Sequence, residues 1–326
     1  MTSQKRQILV TGGCGYIGSV LVPKLAKKYS VTIVDTMFFG NHLPPMKNLK
    51  VVKGDIRDVS LMRSLLSKTT DVIHLASIAN DPSAELDSAL TYSINRDAVV
   101  QLVDTAKECG VRRLINASSS SVYGVKKEES VTEDLSLEPI TLYAKLKAET
   151  EEVIARATTK DFTTVSVRAA TVCANSPRMR FDVIVNILAK AAVTNGVVTV
   201  EGGGQYRPNI HIDDITDLYA MLVEVPDNKI SGKVFNAGSV NHTVKEIAEM
   251  ARDEIGAAIK VDANVIDNRS YRISSEKIKR ELGFETKKTI RQAISDIKQA
   301  FADGKYPDPN NVVYYNVRTI KQVLGR

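Results

Sequence analysis

A doubly wound α/β fold with a parallel sheet, carrying a smaller C-terminal part, is what this chain predicts, and three observations predict it. Apolar runs the length of buried strands alternate with segments of helical period from residue 7 onward. Those runs lack a polar alternate face, as expected where helices cover both sides of a sheet. A glycine-rich turn, TGGCGYIG (11–18), joins the first run to the first helical segment.

In order, the strand candidates are QILVTG, VTIVD, LKVVKGD, DVIHLAS, RRLINASS and, later, FTTVSVR. Between them lie the helical stretches 19–28, 86–109 and 142–157. After about residue 170 the rhythm changes, with punctuation at Pro177, Gly202–Gly204 and Pro208. Helices are expected there near 181–194, 213–224, 243–256, 274–282 and 287–302. The division is therefore 1–170 for the sheet domain and 171–326 for a mainly substrate-binding part, with some later strands and helices free to join the sheet. The tail from Lys305 carries Pro307, Pro309 and a short helical pattern to which the sequence assigns no role.

Length and composition narrow the class. A chain of 326 residues, 43% apolar and 25% charged, is an ordinary globular protein with room for one large domain or two in contact. MTSQKRQ leads directly into a strand, no run approaches the ~20 apolar residues of a membrane span, and the expected compartment is the cytoplasm. Cys14, Cys109 and Cys173 are odd in number, far apart and without zinc spacing, so free thiols and no metal are expected. The formal charge of +6 is spread among acidic residues, which argues for a solvated surface and against nucleic acid.

The glycines have separate tasks. Gly12 makes the turn, Gly15 lets the backbone approach a pyrophosphate, and Gly18 lets the helix pack close to the strand. The helix that follows offers free N–H groups and its positive end to that phosphate. Asp35 closes the second strand about 20 residues further on, where a carboxylate accepts from ribose hydroxyls. It would repel a ribose phosphate, and Thr36–Asn41 contain no arginine, so NAD is favoured over NADP. Asp55 and Ile56, at the end of the third strand, are candidates for the adenine amino group and ring. Leu75, Ala76 and Ser77 are small or apolar residues that would run beside the cofactor, whereas His74 reads as a packed residue.

Two further motifs carry chemistry. SSSSVYG (118–124) brings hydroxyls to the carboxyl edge of the sheet, where open α/β folds bind ligands. YAKLK (143–147) spaces Tyr143 and Lys147 four apart, on one helical face. With these in order, the chain resembles the extended short-chain dehydrogenases/reductases, and among them the nucleotide-sugar epimerases and dehydratases. The carrying residues are TGGCGYIG, Asp35, GDIRD (54–58), HLAS (74–77), SSSSVYG and YAKLK, with weaker echoes at Arg168, GGGQYRPNIHIDD (202–214) and ISSEKIKRELGF (273–284).

The resemblance implies roles. Ser119 is the expected catalytic hydroxyl, Tyr143 the acid/base and Lys147 its electrostatic partner and a ribose ligand. An unperturbed tyrosine near pKa ~10 is a poor base, and a nearby ammonium together with an oxidised nicotinamide would favour its phenolate. Tyr16 and Ile17 in the glycine loop, Asn95 and Val172 are expected at the cofactor. Ser120 and Ser121 are expected at the sugar, and Arg207 and Arg269 on a nucleotide-sugar diphosphate. Relatives that dehydrate the sugar carry an Asp–Glu pair where Ser120 and Ser121 stand, which demotes 4,6-dehydration. Cys173–Ala174 replace a frequent Tyr–Gly, and Ala79 stands where some epimerases have lysine. A C4 epimerase that passes through a 4-keto sugar, a dehydrogenase or a 4-ketoreductase remain open, with a non-catalytic NAD-binding protein as the rival of another class. Homodimerisation through 90–109 and 142–157 is a further expectation from the resemblance.

Overall fold

The computed structural model describes residues 6–262 and 270–326. Seven parallel strands form its main sheet: β1 (Gln7–Thr11), β2 (Ser30–Asp35), β3 (Leu49–Lys53), β4 (Asp71–His74), β5 (Arg113–Ser119), β6 (Thr163–Ala169) and β7 (Lys233–Ala237). Their spatial order is β7-β6-β5-β4-β1-β2-β3. The order reverses between β1 and β4, and a crevice opens at the carboxyl ends of such strands.

Successive residues of a strand point to opposite faces, so β1, β2, β4 and β5 each feed two cores. In β1, Ile8 and Val10 join one cluster with Ile33, Ile73 and Val165. Leu9 joins the opposite one with Val34, Val72 and Leu114. Each side chain removed from water contributes roughly 1.5–3 kcal/mol, which requires helices on both faces. One face is covered by α1 (Gly18–Ala26), and the other by α2 (Val59–Leu66), α3 (Ala98–Glu108) and α4 (Leu142–Arg156). The helical period read over 86–109 resolves into the α-helix Ser88–Tyr92, a π-helical turn Ser93–Asp97 and α3.

Beyond residue 170 the chain builds α5 (Ile184–Asn195), α6 (Ile212–Glu224), α7 (Val244–Ile255), α8 (Ile290–Ala302) and α9 (Asn316–Val323). Helices α5, α7 and α8 pack around a third apolar cluster containing Val185, Ile247 and Ile294. Two pieces return to the first domain. Strand β7 pairs with β6, and α6 lies against α1, where Lys24 reaches Asp213 at 3.1 Å and Asp217 at 2.7 Å. Arg113 of β5 is 1% exposed and fastens the end of α6, donating to the Val225 carbonyl at 2.7 Å and to Asp227. No helix among the described residues is long and apolar enough to cross a membrane.

Candidate active site

The carboxyl ends of the strands open into one cleft of about 840 Å³. Its inner wall begins at the glycine loop. Gly12 has φ +72°, and a Cβ there would stand 2.7 Å from the Ala76 amide nitrogen; the loop must therefore touch the end of β4. At Gly15 a Cβ would meet only the Gly12 carbonyl, at 3.2 Å, so that side of the turn faces the cleft. Tyr16, Ile17 and Gly18 complete the turn into α1 and line the same space.

Asp35 lines the cleft with its carboxylate fastened to the loop, accepting from Cys14 N at 2.9 Å and Met37 N at 2.7 Å. Burial raises its pKa, opposed by those two hydrogen bonds and by Arg178. Asp55 and Ile56 also line the cleft, and Arg57 holds Asp55 as an ion pair, with Nη2 2.6 Å from Oδ2 and Nε 3.0 Å from Oδ1. That pairing keeps the Asp55 carboxyl below its ordinary range. Leu75, Ala76 and Ser77 follow β4 along the floor. His74 behind them is 2% exposed, bonded through Nδ1 to Thr11 Oγ1 at 2.7 Å, and held neutral by burial, which lowers it to about 3.

Asn95 lies beside the cleft and is bonded to the loop after β4. It is not among the described residues lining the cleft. Its Oδ1 accepts from Ile78 N at 2.8 Å and its Nδ2 donates to Ile78 O at 3.0 Å. Asn95 sits in the π-helical turn Ser93–Asp97. Asn95 therefore shapes the loop after β4 rather than facing the cavity.

Ser119, Tyr143 and Lys147 converge on the cleft. Thr141 caps α4, its Oγ1 accepting from Ala144 N at 3.2 Å, which sets Tyr143 in the first helical turn. Ser119 Oγ accepts from Ser121 Oγ at 2.9 Å, and Ser119 also acts on Tyr143, lowering the pKa of its hydroxyl. Lys147 donates to the Ala117 carbonyl at 2.8 Å and lies 5.8 Å from the Tyr143 ring centroid. Beneath them, Glu151 of α4 binds Arg168 of β6 at 2.8 Å and accepts from Ser118, while Arg168 donates to the Tyr123 hydroxyl at 2.8 Å. This buried network ties α4 to the serine turn. It also removes Ser118 from the set of available hydroxyls.

Burial dominates the electrostatics of Tyr143 and Lys147. Burial pushes Tyr143 up to about 12; Asp81 adds to this, while Ser119 and Arg180 oppose it. Lys147 itself is pulled down to about 8 by burial, with Glu151 opposing.

The outer wall comes from beyond residue 170. Val172 lies in the short strand Thr171–Cys173, and Arg207 in Tyr206–Arg207, paired antiparallel to His242–Thr243; both line the cleft. Ser120 and Ser121 face this side, with Ser120 Oγ 3.1 Å from the Tyr271 hydroxyl. Arg269 lies outside the described residues. Sequence reasoning missed Phe39, Arg178, Arg180, Asp182 and Asn316, all of which line the cleft. The signal available for the arginines was SPRMRFD (176–182), two guanidiniums two positions apart on an irregular segment.

The model of the NAD dependent epimerase/dehydratase family matches residues 8–238. The chain belongs to that family. It is 26% identical over 273 residues to a UDP-glucose 4-epimerase of Lactobacillus helveticus, spanning 78% of this chain and 83% of that one. Among solved structures it superposes on MoeE5 in complex with UDP-glucuronic acid and NAD, with a TM-score of 0.81 and 25% identity, covering 91% of this chain and 99% of that one. A UDP-glucose 4-epimerase from Thermotoga maritima shares the fold at TM-score 0.81 and 24% identity, over 92% and 99% of the two chains. The protein is accordingly an NAD-dependent enzyme with the Rossmann architecture of that family. The cleft fits the dinucleotide: the open side of Gly15 admits a phosphate at the start of α1, and Asp35 stands at the end of β2.

Proposed function

We propose that this protein is an NAD-dependent nucleotide-sugar epimerase that inverts C4 through a transient 4-keto sugar. The observation that carries the reading is the convergence of Ser119, Tyr143 and Lys147 on the cleft that also holds the glycine loop and Arg207. The relatives named 4-epimerases, and a neighbour holding a UDP-sugar with NAD, support the substrate class.

When bound, NAD supplies a hydride acceptor and a positive ring beside the phenol. Tyr143 takes the proton of the reacting sugar hydroxyl and returns it after the ketone has turned. Its pKa of about 12 in the protein alone means that the phenolate depends on positive charge arriving in the cleft. Ser119 would hold the reacting oxygen by a hydrogen bond, and Lys147, which donates to the Ala117 carbonyl, would hold the nicotinamide ribose. Arg207 neutralises the substrate's diphosphate, and Ser120 and Ser121 contact the sugar. With hydroxyls there instead of two carboxylates, the residues lack the acid and base that water elimination requires.

The part after residue 170, apart from α6 and β7, binds the substrate. The expected homodimer joins the faces of 90–109 and 142–157, and the expected compartment is the cytoplasm. A panel of nucleotide-sugars incubated with and without added NAD tests the activity. Inverted product without accumulation of reduced cofactor is expected. Stoichiometric NADH with release of an oxidised sugar would replace the reading with a dehydrogenase, and inertness toward every nucleotide-sugar would sink it.

A further inference from the structure

The segment between the strand Thr171–Cys173 and α5 is fastened onto the first turn of α1. The Tyr16 hydroxyl donates to the Ala174 carbonyl at 2.5 Å, and Ser176 Oγ donates to the Tyr16 carbonyl at 2.8 Å. Ser176 Oγ also lies 2.9 Å from Ser19 Oγ, which accepts from Arg178 N at 3.3 Å. Two guanidiniums are thereby held beside the turn where the glycine-loop amides gather.

Arg178 is 3% exposed, with Cζ 3.8 Å from the Phe39 ring centroid and Nη2 donating to Asn316 Oδ1 at 2.6 Å. Arg180 donates through Nε to Asp182 Oδ1 at 2.8 Å, and its Cζ lies 6.0 Å from the Tyr16 ring centroid. Asn316 is 3% exposed and braces the group: its N donates to Asp182 Oδ2 at 2.8 Å and its Nδ2 to the Ala79 carbonyl at 3.3 Å. The C-terminal segment thus reaches both walls of the cleft.

The cluster is incomplete as it stands. Among the described residues, Arg178 Nε and Arg180 Nη2 are buried donors without an acceptor. A buried donor left unmade costs about 1–3 kcal/mol, more when it belongs to a charged group. Burial and the neighbouring Arg180 pull the Arg178 guanidinium down to about 9. Both arginines border the cleft, Arg178 toward Asp35 and Phe39, Arg180 toward Tyr16 and Tyr143. An anion lying against the first turn of α1, between Asp35 and Tyr143, would enter the space that both arginines border.

We propose that Arg178 and Arg180, braced by Asn316, form a cationic clamp on the dinucleotide's pyrophosphate, supplied from outside the Rossmann half and locked by the C-terminal segment. The proposal rests on the NAD reading above. It gives α9 a task, since the chain's end holds the cofactor in place while the sugar turns.

The test is calorimetric titration of the full-length protein, stripped of cofactor, with NAD, ADP-ribose, adenosine and UDP. Replacing Arg180→Gln or Arg178→Gln is expected to weaken NAD and ADP-ribose about 10- to 100-fold, the range of a hydrogen bond to a charged group. Adenosine and UDP are expected to bind as before. Asn316→Ala is expected to weaken NAD about 3- to 10-fold, as lost orientation of one such bond would. Arg180→Lys keeps the charge without the fork and should recover part of the loss, which a purely structural arginine would not show. Should Arg178→Gln fail to fold, Arg180 and Asn316 carry the test. Unchanged NAD affinity in folded Arg180→Gln and Asn316→Ala overturns the clamp while leaving the NAD reading intact. Loss of UDP with NAD unchanged also overturns it, placing the arginines at the substrate. A wild-type protein that binds no NAD overturns both.

Discussion

The two walls of the cleft solve opposite problems. On the Rossmann wall, Asp35 holds two backbone amides and Lys147 the Ala117 carbonyl before any ligand arrives, and behind the wall Asn95 holds both polar atoms of Ile78. On the outer wall, Arg178 and Arg180 each keep a buried donor without an acceptor among the described residues. One wall is built to stay rigid, the other to be completed by what binds. Preorganised groups lose little on binding and suit catalysis, whereas groups awaiting a partner convert its arrival into affinity.

The largest separation of the walls should come from Tyr143→Phe. Removing the hydroxyl deletes the proton carrier and is expected to lower turnover about 10²–10⁴-fold, the usual share of general acid–base catalysis. NAD affinity should change little, because the clamp and the glycine loop are untouched. Steady-state rates and a cofactor titration on one preparation check both halves. A variant that turns over normally would remove Tyr143 from the chemistry.

A paired glycine substitution sharpens the same comparison in stability. Gly12→Ala places a Cβ 2.7 Å from the Ala76 nitrogen at φ +72° and is expected to cost about 2 kcal/mol or more, with loss of NAD binding. Gly204→Ala, on the loop of the outer wall, meets nothing within 4 Å and should be within ~0.5 kcal/mol of the parent. Denaturant midpoints measure both, and equal effects would show that the Rossmann turn is not the tighter of the two.

The same contrast explains what the sequence discloses. The strands and the glycine turn are legible because each is local: a run of apolar residues, or a triplet of glycines with steric tasks that no other residue performs. All six strand candidates of the first 170 residues form, and the five helices expected afterwards appear near their expected places. Asn95 lies in a π-turn and is bonded to Ile78, a contact that no spacing rule of an α-helix anticipates. The strand Lys233–Ala237 belongs to the sheet by a pairing some 68 positions away in sequence, Lys233 opposite Val165. SPRMRFD signals the arginines but not their joining to Asn316, for a related reason. Their meaning lies in contacts between Asn316 and residues at 178, 182 and 79, and no local period encodes such a meeting.

The smallest effect concerns Lys147 and reports whether the Rossmann wall is under tension before the cofactor binds. Its folded pKa, about 8, lies below the ordinary 10.5 because burial disfavours the ammonium. Between those values the unfolded chain holds a proton that the folded chain has released, so stability rises with pH across that window at up to about 1 kcal/mol per unit. Below about pH 8 both states are protonated, the gain is absent, and the buried charge weighs on the fold. Lys147→Met removes this linkage while the raised cysteines and tyrosines, which act in the opposite direction, stay in both proteins. The stability of the parent minus that of the variant, followed without cofactor from pH 7 to ~10, is therefore expected to be flat at first and then to climb. A difference that stays level throughout would mean that the ammonium is as comfortable in the fold as in water. Lys147 would then belong with the satisfied groups of its wall in energy as well as in geometry.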